Sequence, residues 1–123
     1  MTQVPNPLLL RKAVRLALLE DLGRAGDITT LSTIPADANS VARLVARETG
    51  VVCGLDFVAE AFRQLDSRVF VKTEIADCDP IESGATIAVV SGPSRAILSA
   101  ERVALNYLGR WSGIASLTAR YVR

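Results

Sequence analysis

Four polar side chains recur along one helical face late in this sequence: Arg95, Ser99, Arg102 and Asn106, spaced four, three and four residues apart. Residues three and four apart are neighbours on a helix surface, so the spacing predicts one polar line carrying two guanidinium groups. A guanidinium is a planar fork of N–H donors, suited to two-point capture of a carboxylate or a phosphate. Arg102, next to Glu101 and set among apolar turns, is the best-placed residue for such capture. On spacing alone, an ion pair within the chain and a solvated face remain open for it. The 123 residues include no histidine, which removes Ser-His-Asp and Cys-His nucleophile pairs, histidine–zinc sites and an imidazole pH switch. Chemistry is left to carboxylates, lysines, arginines, hydroxyls, Cys53, Cys78 and backbone groups.

Other clusters give weaker signals. Asp77 and Asp79, with Glu74 and Glu82 nearby, lack the length and the terminal bidentate carboxylate of a calcium loop, so a solvated turn is expected. Cys53 and Cys78 match no zinc spacing and are too few for a disulfide framework. Cys53 is therefore expected as a small buried hydrophobe, Cys78 as incidental to its turn, and a reducing cytoplasmic setting fits both. Lys72 is flanked by strand residues, unlike a carrier lysine at an exposed hairpin tip. No GxGxxG or P-loop spacing occurs among the glycines. A net charge of +1 and 5% aromatic content argue against a broad basic face or a stacking platform for nucleic acid. Arg11 and Lys12 cut off the Leu8–Leu10 run before a secretory segment forms, and no other apolar run approaches the ~20 residues of a membrane span. A soluble protein is expected.

The elements that must position these residues follow from periodicity. Leu10, Ala13, Val14, Ala17 and Leu18 make one apolar stripe, predicting a helix from Asn6 to Leu22 with Asn6 as N-cap and Gly23 as its stop. Its charges oppose the helix dipole: Arg11, Lys12 and Arg15 come early, Glu20 and Asp21 late. Either solvent screens them, or Glu20 and Asp21 meet donors from another segment. Gly23 to Pro35 reads as turns centred on Gly26 and Asp27. Ser40 to Val52 alternates as a strand, with Ala42, Leu44 and Ala46 on one face and Val41, Arg43, Val45 and Arg47 on the other. A short strand at 51–54, a helix over Leu55–Leu65, a strand from Val69, turns at 77–80 and 83–84, and a strand from Thr86 to Ser91 follow. A long helix is expected from an N-cap at Ser94 to Gly109, its apolar stripe formed by Ile97, Leu98, Ala104, Leu105, Leu108 and Trp111. Ile114 to Val122 reads as the start of another helix. The sequence stops within that apolar pattern, at Leu117, Tyr121 and Val122, so a fragment of a longer protein is expected, with a compact α+β module as the alternative.

The segment from Ala100 to Leu108, AERVALNYL, continued by Ser112-Gly113-Ile114-Ala115-Ser116, resembles the signature AERxxLNxLxxxSGIAT of quinolinate phosphoribosyltransferases. Glu20-Asp21-Leu22-Gly23 with Gly26-Asp27-Ile28-Thr29-Thr30 resembles that family's EDLGxGDIT. Arg47 to Gly54 is similar to its RExGVxxG, and Asp77-Cys78-Asp79 with Gly84 to its DGDxVxxG. Cys78 stands in place of the usual glycine of that turn, and Gly109 and Ser116 also replace commoner residues. A related molybdenum-transport-associated protein shares parts of the pattern.

The resemblance implies an α+β chain. Residues 1–112 would form an α/β-hammerhead-type N-terminal domain, and residues 113–123 the start of a C-terminal α/β barrel that is largely absent. It further implies transfer of phosphoribosyl from phosphoribosyl pyrophosphate, with Mg²⁺ bound by the missing barrel, to quinolinate. Decarboxylation would then give nicotinate mononucleotide, pyrophosphate and carbon dioxide for NAD biosynthesis. The arginine of the family's Glu-Arg pair corresponds to Arg102 and would reach the quinolinate of the neighbouring subunit in a homodimer or higher homo-oligomer. No catalytic acid, base or metal ligand is expected within these residues; Glu20, Asp21 and Asp27 are expected to be structural. The expected location is the cytoplasm, with neither nucleic acid nor membrane as partner. A non-catalytic binding or assembly module is the alternative from another class.

Overall fold

A computed structural model describes residues 6–25, 34–111 and 117–122. Its elements run α1 (Pro7–Ala25), β1 (Asn39–Ala46), β2 (Gly50–Val51), α2 (Leu55–Leu65), β3 (Phe70–Thr73), β4 (Pro80–Ile81), β5 (Thr86–Pro93), α3 (Ser94–Trp111) and β6 (Leu117–Val122). Four strands form an antiparallel sheet in the order β3-β5-β1-β6, and β2 pairs with β4 separately. The α+β class expected from the sequence is the class found. The turn expected at Gly26 and Asp27 lies outside the described residues.

Alternation in β1 buries Ala42, Leu44 and Ala46 and exposes Arg43. Val45, expected on the exposed face, is buried as well, because the pairing with β5 shifts between Leu44 and Val45. Helix α2 has the bounds its periodicity predicts and buries Leu55, Phe57, Val58, Ala61 and Phe62. One apolar cluster joins the sheet to α2 and α3 through Leu44, Phe62, Ile87, Ile97 and Leu108. A second, of Val14, Leu18, Phe57, Ala61 and Val103, seats α1 on the outer side of α2 and α3.

Several expectations need correction. Helix α1 runs through Gly23 to Ala25; a helix interior tolerates glycine at about 1 kcal/mol, so Gly23 alone does not end it. Asn6 is confirmed as its cap, since the Leu8 amide donates to Asn6 Oδ1 at 2.9 Å. Ala13, counted in the apolar stripe, is exposed. Of the helix expected over 114–122, the described residues 117–122 instead form β6, which extends the sheet along the edge of β1, from Val41 opposite Val122 to Ala46 opposite Leu117. The β-branched and aromatic residues Thr118, Tyr121 and Val122 favour a strand once an edge is offered.

The largest correction concerns Cys53 and Cys78, which form a disulfide. It ties the residue before Gly54 to the turn at 77–79. Asp77 in that turn is no solvated carboxylate: its Oδ1 accepts the Gly54 amide at 2.8 Å and the Leu55 amide at 3.0 Å, capping α2 from a distant segment. The Cys78 amide donates to the Val52 carbonyl at 2.7 Å. Cys78 has φ 64°, in the left-handed region that glycine adopts most readily.

Two predictions follow from these junctions. Reducing Cys53–Cys78, which closes a sequence separation of 25 residues, should lower the unfolding free energy by about 3–4 kcal/mol through added chain entropy. Urea midpoints with and without a thiol reductant check this; equal midpoints would show two unbonded thiols in solution. Gly92 has φ 143°, and a Cβ there would lie 2.9 Å from Val69 Cα. Gly92→Ala should therefore destabilise by about 1–3 kcal/mol, read as a lowered Tm.

Candidate functional site

The long helix α3 carries the polar line, and the structure divides it. Arg95 lies at the start of α3, where its Nε donates to the Ile34 carbonyl at 2.7 Å. Ser99 is buried rather than on a polar face, because α3 is covered by the sheet on one side and by α1 and α2 on the other. Ser94, expected as an N-cap, has its hydroxyl bonded to that of Ser40 and its amide to the Ala38 carbonyl at 2.9 Å. Arg102 and Asn106 remain exposed. The four residues therefore do not form one binding surface. Arg102 and Asn106 share the outer face, whereas Arg95 serves the start of the helix.

Arg102 meets Asp21, 81 positions earlier. Its Nε donates to Oδ1 at 2.8 Å and its Nη2 to Oδ2 at 3.0 Å, a two-point side-on pair. The Arg102 side chain is 55% exposed and that of Asp21 only 19%. Asp21 lines a cleft of about 410 Å³ between α1 and α3, together with Leu16, Ala17, Glu20, Asn106 and Tyr107, among others. The Tyr107 ring stacks on Phe57 with centroids 3.4 Å apart, so the cleft wall is anchored on α2.

Asp21's position near the end of α1, against the dipole, thus has its explanation in a donor from another segment. The signal was legible in the wrong-way charges; the identity of the donor was not. The stacking of Tyr107 left no trace in the sequence pattern. Lys72 lies 3.9 Å from Glu74, an exposed strand contact unlike a carrier site.

No group of three His, Cys, Asp or Glu among the described residues could hold a metal ion. Both Asp21 oxygens already bond to Arg102, and Asp77 is engaged by backbone amides. These carboxylates do not fit Mg²⁺, and no step through a metal can be assigned to them. What the site offers is the Arg102 guanidinium, exposed on a helix buried on two sides. A guanidinium so placed is suited to binding an anion.

Residues 27–112 match the model of the quinolinate phosphoribosyl transferase N-terminal domain. The chain belongs to this family. A quinolinate phosphoribosyltransferase (decarboxylating) of Nicotiana tabacum is 39% identical over 109 residues, 89% of this chain and 31% of that relative. A probable nicotinate-nucleotide pyrophosphorylase (carboxylating) of Bacillus subtilis is 39% identical over 118 residues, covering 96% of this chain and 40% of the relative. Among solved structures, NadC from Streptococcus pyogenes superposes with a TM-score of 0.81 at 28% identity, over 87% of this chain and 38% of its own. The nicotinate-nucleotide pyrophosphorylase of Francisella tularensis gives 0.77 at 34% identity, over 86% and 36%. The chain spans about a third of the length of the curated relatives it matches, 31% of the tobacco enzyme. As a quinolinate phosphoribosyl transferase N-terminal domain, it carries Arg102 on the helix that holds the family-like AERVALNYL segment.

The ion pair makes a quantitative prediction. With Arg102 half exposed, the coupling between Arg102→Ala and Asp21→Ala should be about 0.5–1 kcal/mol in a double-mutant cycle of urea unfolding. Additive effects would show that the pair is not formed in solution.

Proposed function

We propose that this chain is the N-terminal part of an enzyme that transfers phosphoribosyl from phosphoribosyl pyrophosphate to quinolinate, with decarboxylation to nicotinate mononucleotide. The observation that carries the reading is Arg102, exposed on α3 within the AERVALNYL segment of a chain that belongs to this family. Quinolinate is a dicarboxylate, and a planar guanidinium on a rigid helix can hold one of its carboxylates at two points. Such a contact orients the acceptor and offsets its charge before any bond changes.

In this reading Arg102 serves the quinolinate of a neighbouring subunit in a homodimer or higher homo-oligomer. The exposed Leu8, Leu9, Leu16 and Leu19 on α1, interspersed with Lys12 and Arg15, support it, since exposed leucines of this kind are suited to burial against another surface. Mg²⁺ would enter with phosphoribosyl pyrophosphate and be held by the part of the relatives' length that this chain does not span. A cytoplasmic location goes with this proposal, and no described helix is long and apolar enough to cross a membrane.

Arg102→Ala in the whole gene product should raise the KM for quinolinate by about 10–100-fold, more than it changes kcat, as expected for lost binding to both ground and transition states. Unchanged KM and kcat would remove Arg102 from the site. The 123-residue chain alone should form no nicotinate mononucleotide and should self-associate, as read by product assay and sedimentation. Product formed by the chain alone would overturn this division of labour.

A further inference from the structure

We infer that Asp21 is a positioning residue for Arg102: from the α1–α3 cleft that Asp21 lines, it fixes the guanidinium plane so that a substrate carboxylate meets an already oriented fork. The inference rests on the proposed role of Arg102 in quinolinate binding and adds a second residue to that site, from a different helix.

Three observations carry it. The pair is two-point, with Nε on Oδ1 at 2.8 Å and Nη2 on Oδ2 at 3.0 Å, which fixes both the direction and the tilt of the plane. A one-point contact would fix neither. Asp21 is the better-buried partner, at 19% against 55%, so the carboxylate is the anchor and the guanidinium is the group that reaches outward. Asp21 also sits where an unpaired carboxylate is least favoured, towards the C-terminal end of α1, so helix stability does not account for an acid there.

The helix beneath Asp21 is well seated. Val14 and Leu18 of α1 pack with Val103 of α3, the residue next to Arg102, and Tyr107 one turn on stacks against Phe57.

Two physical effects of Asp21 oppose one another. Its charge offsets part of the attraction that Arg102 exerts on an incoming anion. Its bonds also order a long, flexible side chain in advance, lowering the entropy lost on substrate binding. Asp21 engages the Nε and Nη2 donors along one edge of the guanidinium plane, so it binds side-on and not across the outer Nη1–Nη2 edge, and in this proposal the ordering effect prevails.

The test uses the whole gene product, with Arg102→Ala, Asp21→Ala, Asp21→Asn, Asp21→Glu and the double Asp21→Ala/Arg102→Ala variant. Asp21→Ala is expected to raise the quinolinate KM by about tenfold while kcat and the KM for phosphoribosyl pyrophosphate stay within about twofold. Asp21→Glu should recover most of the loss, since it restores a carboxylate to Arg102. The double variant should be no worse than Arg102→Ala, because the aspartate would act only through the arginine. The nearly isosteric Asp21→Asn, which keeps the volume and loses the two-point geometry, carries the same expectation if Asp21→Ala fails to fold.

If Arg102→Ala raises the quinolinate KM but Asp21→Asn leaves it unchanged or lowers it, positioning is overturned; a lowered value would make Asp21 a competitor of the substrate. If Arg102→Ala itself leaves KM unchanged, the reading of the site fails first. A parallel rise in both substrates' KM values with loss of kcat would mark a structural role and would also overturn the inference.

Discussion

The structure depends on one helix being buried on two sides. Ile97, Ala100, Ala104 and Leu108 of α3 face the sheet, while Val103, with Tyr107 packed against the same cluster, faces α1 and α2. Small residues at 96, 100 and 104 let the helix axis approach the strands, and the larger Ile97 and Leu108 fill the space beside them. At about 25 cal/mol per Å² of apolar surface buried, two covered sides hold such a helix more firmly than its own propensity can. The narrow strip left uncovered is where Arg102 and Asn106 emerge. A charge at that strip inherits the rigidity of the core beneath it. No mobile loop stands between them.

Much of this was legible in the sequence because periodicity reports burial. The bounds of α2 and the inner face of β1 were readable, since each element has one clearly apolar side. The pattern misled where burial was not one-sided. Ser99 reads as polar surface from its spacing with Arg95 and Arg102, yet a helix covered from two directions has little polar face to give it. Residues 117–122 read as helix because short apolar runs suit both periods. Their strand conformation is set by the edge of β1, a partner some 75 positions away that no local window contains.

The site itself was half legible. Arg102 could be singled out from residue type and from resemblance, and the wrong-way acids on α1 signalled that something would meet them. That Asp21 and Arg102 meet each other is a property of how α1 lies on α3, which depends on Val14, Leu18 and Val103 packing together. Long-range ion pairs of this kind leave no spacing rule behind. The same holds for Asp77, whose carboxylate reads as turn chemistry but spends itself on amides 22 and 23 residues away.

The junction at Gly54 is fastened twice, by the Cys53–Cys78 bond and by the Asp77 carboxylate, and the two fastenings answer to different conditions. One opens to electrons, the other to neither electrons nor thiols. A disulfide acts mainly by restricting the unfolded chain, whereas the carboxylate cap acts on the folded one. Loss of the sulfur bond therefore changes how often the domain opens without changing the shape it returns to. By this reasoning the helix and its arginine are expected to keep their placement whether the sulfur bond is formed or reduced.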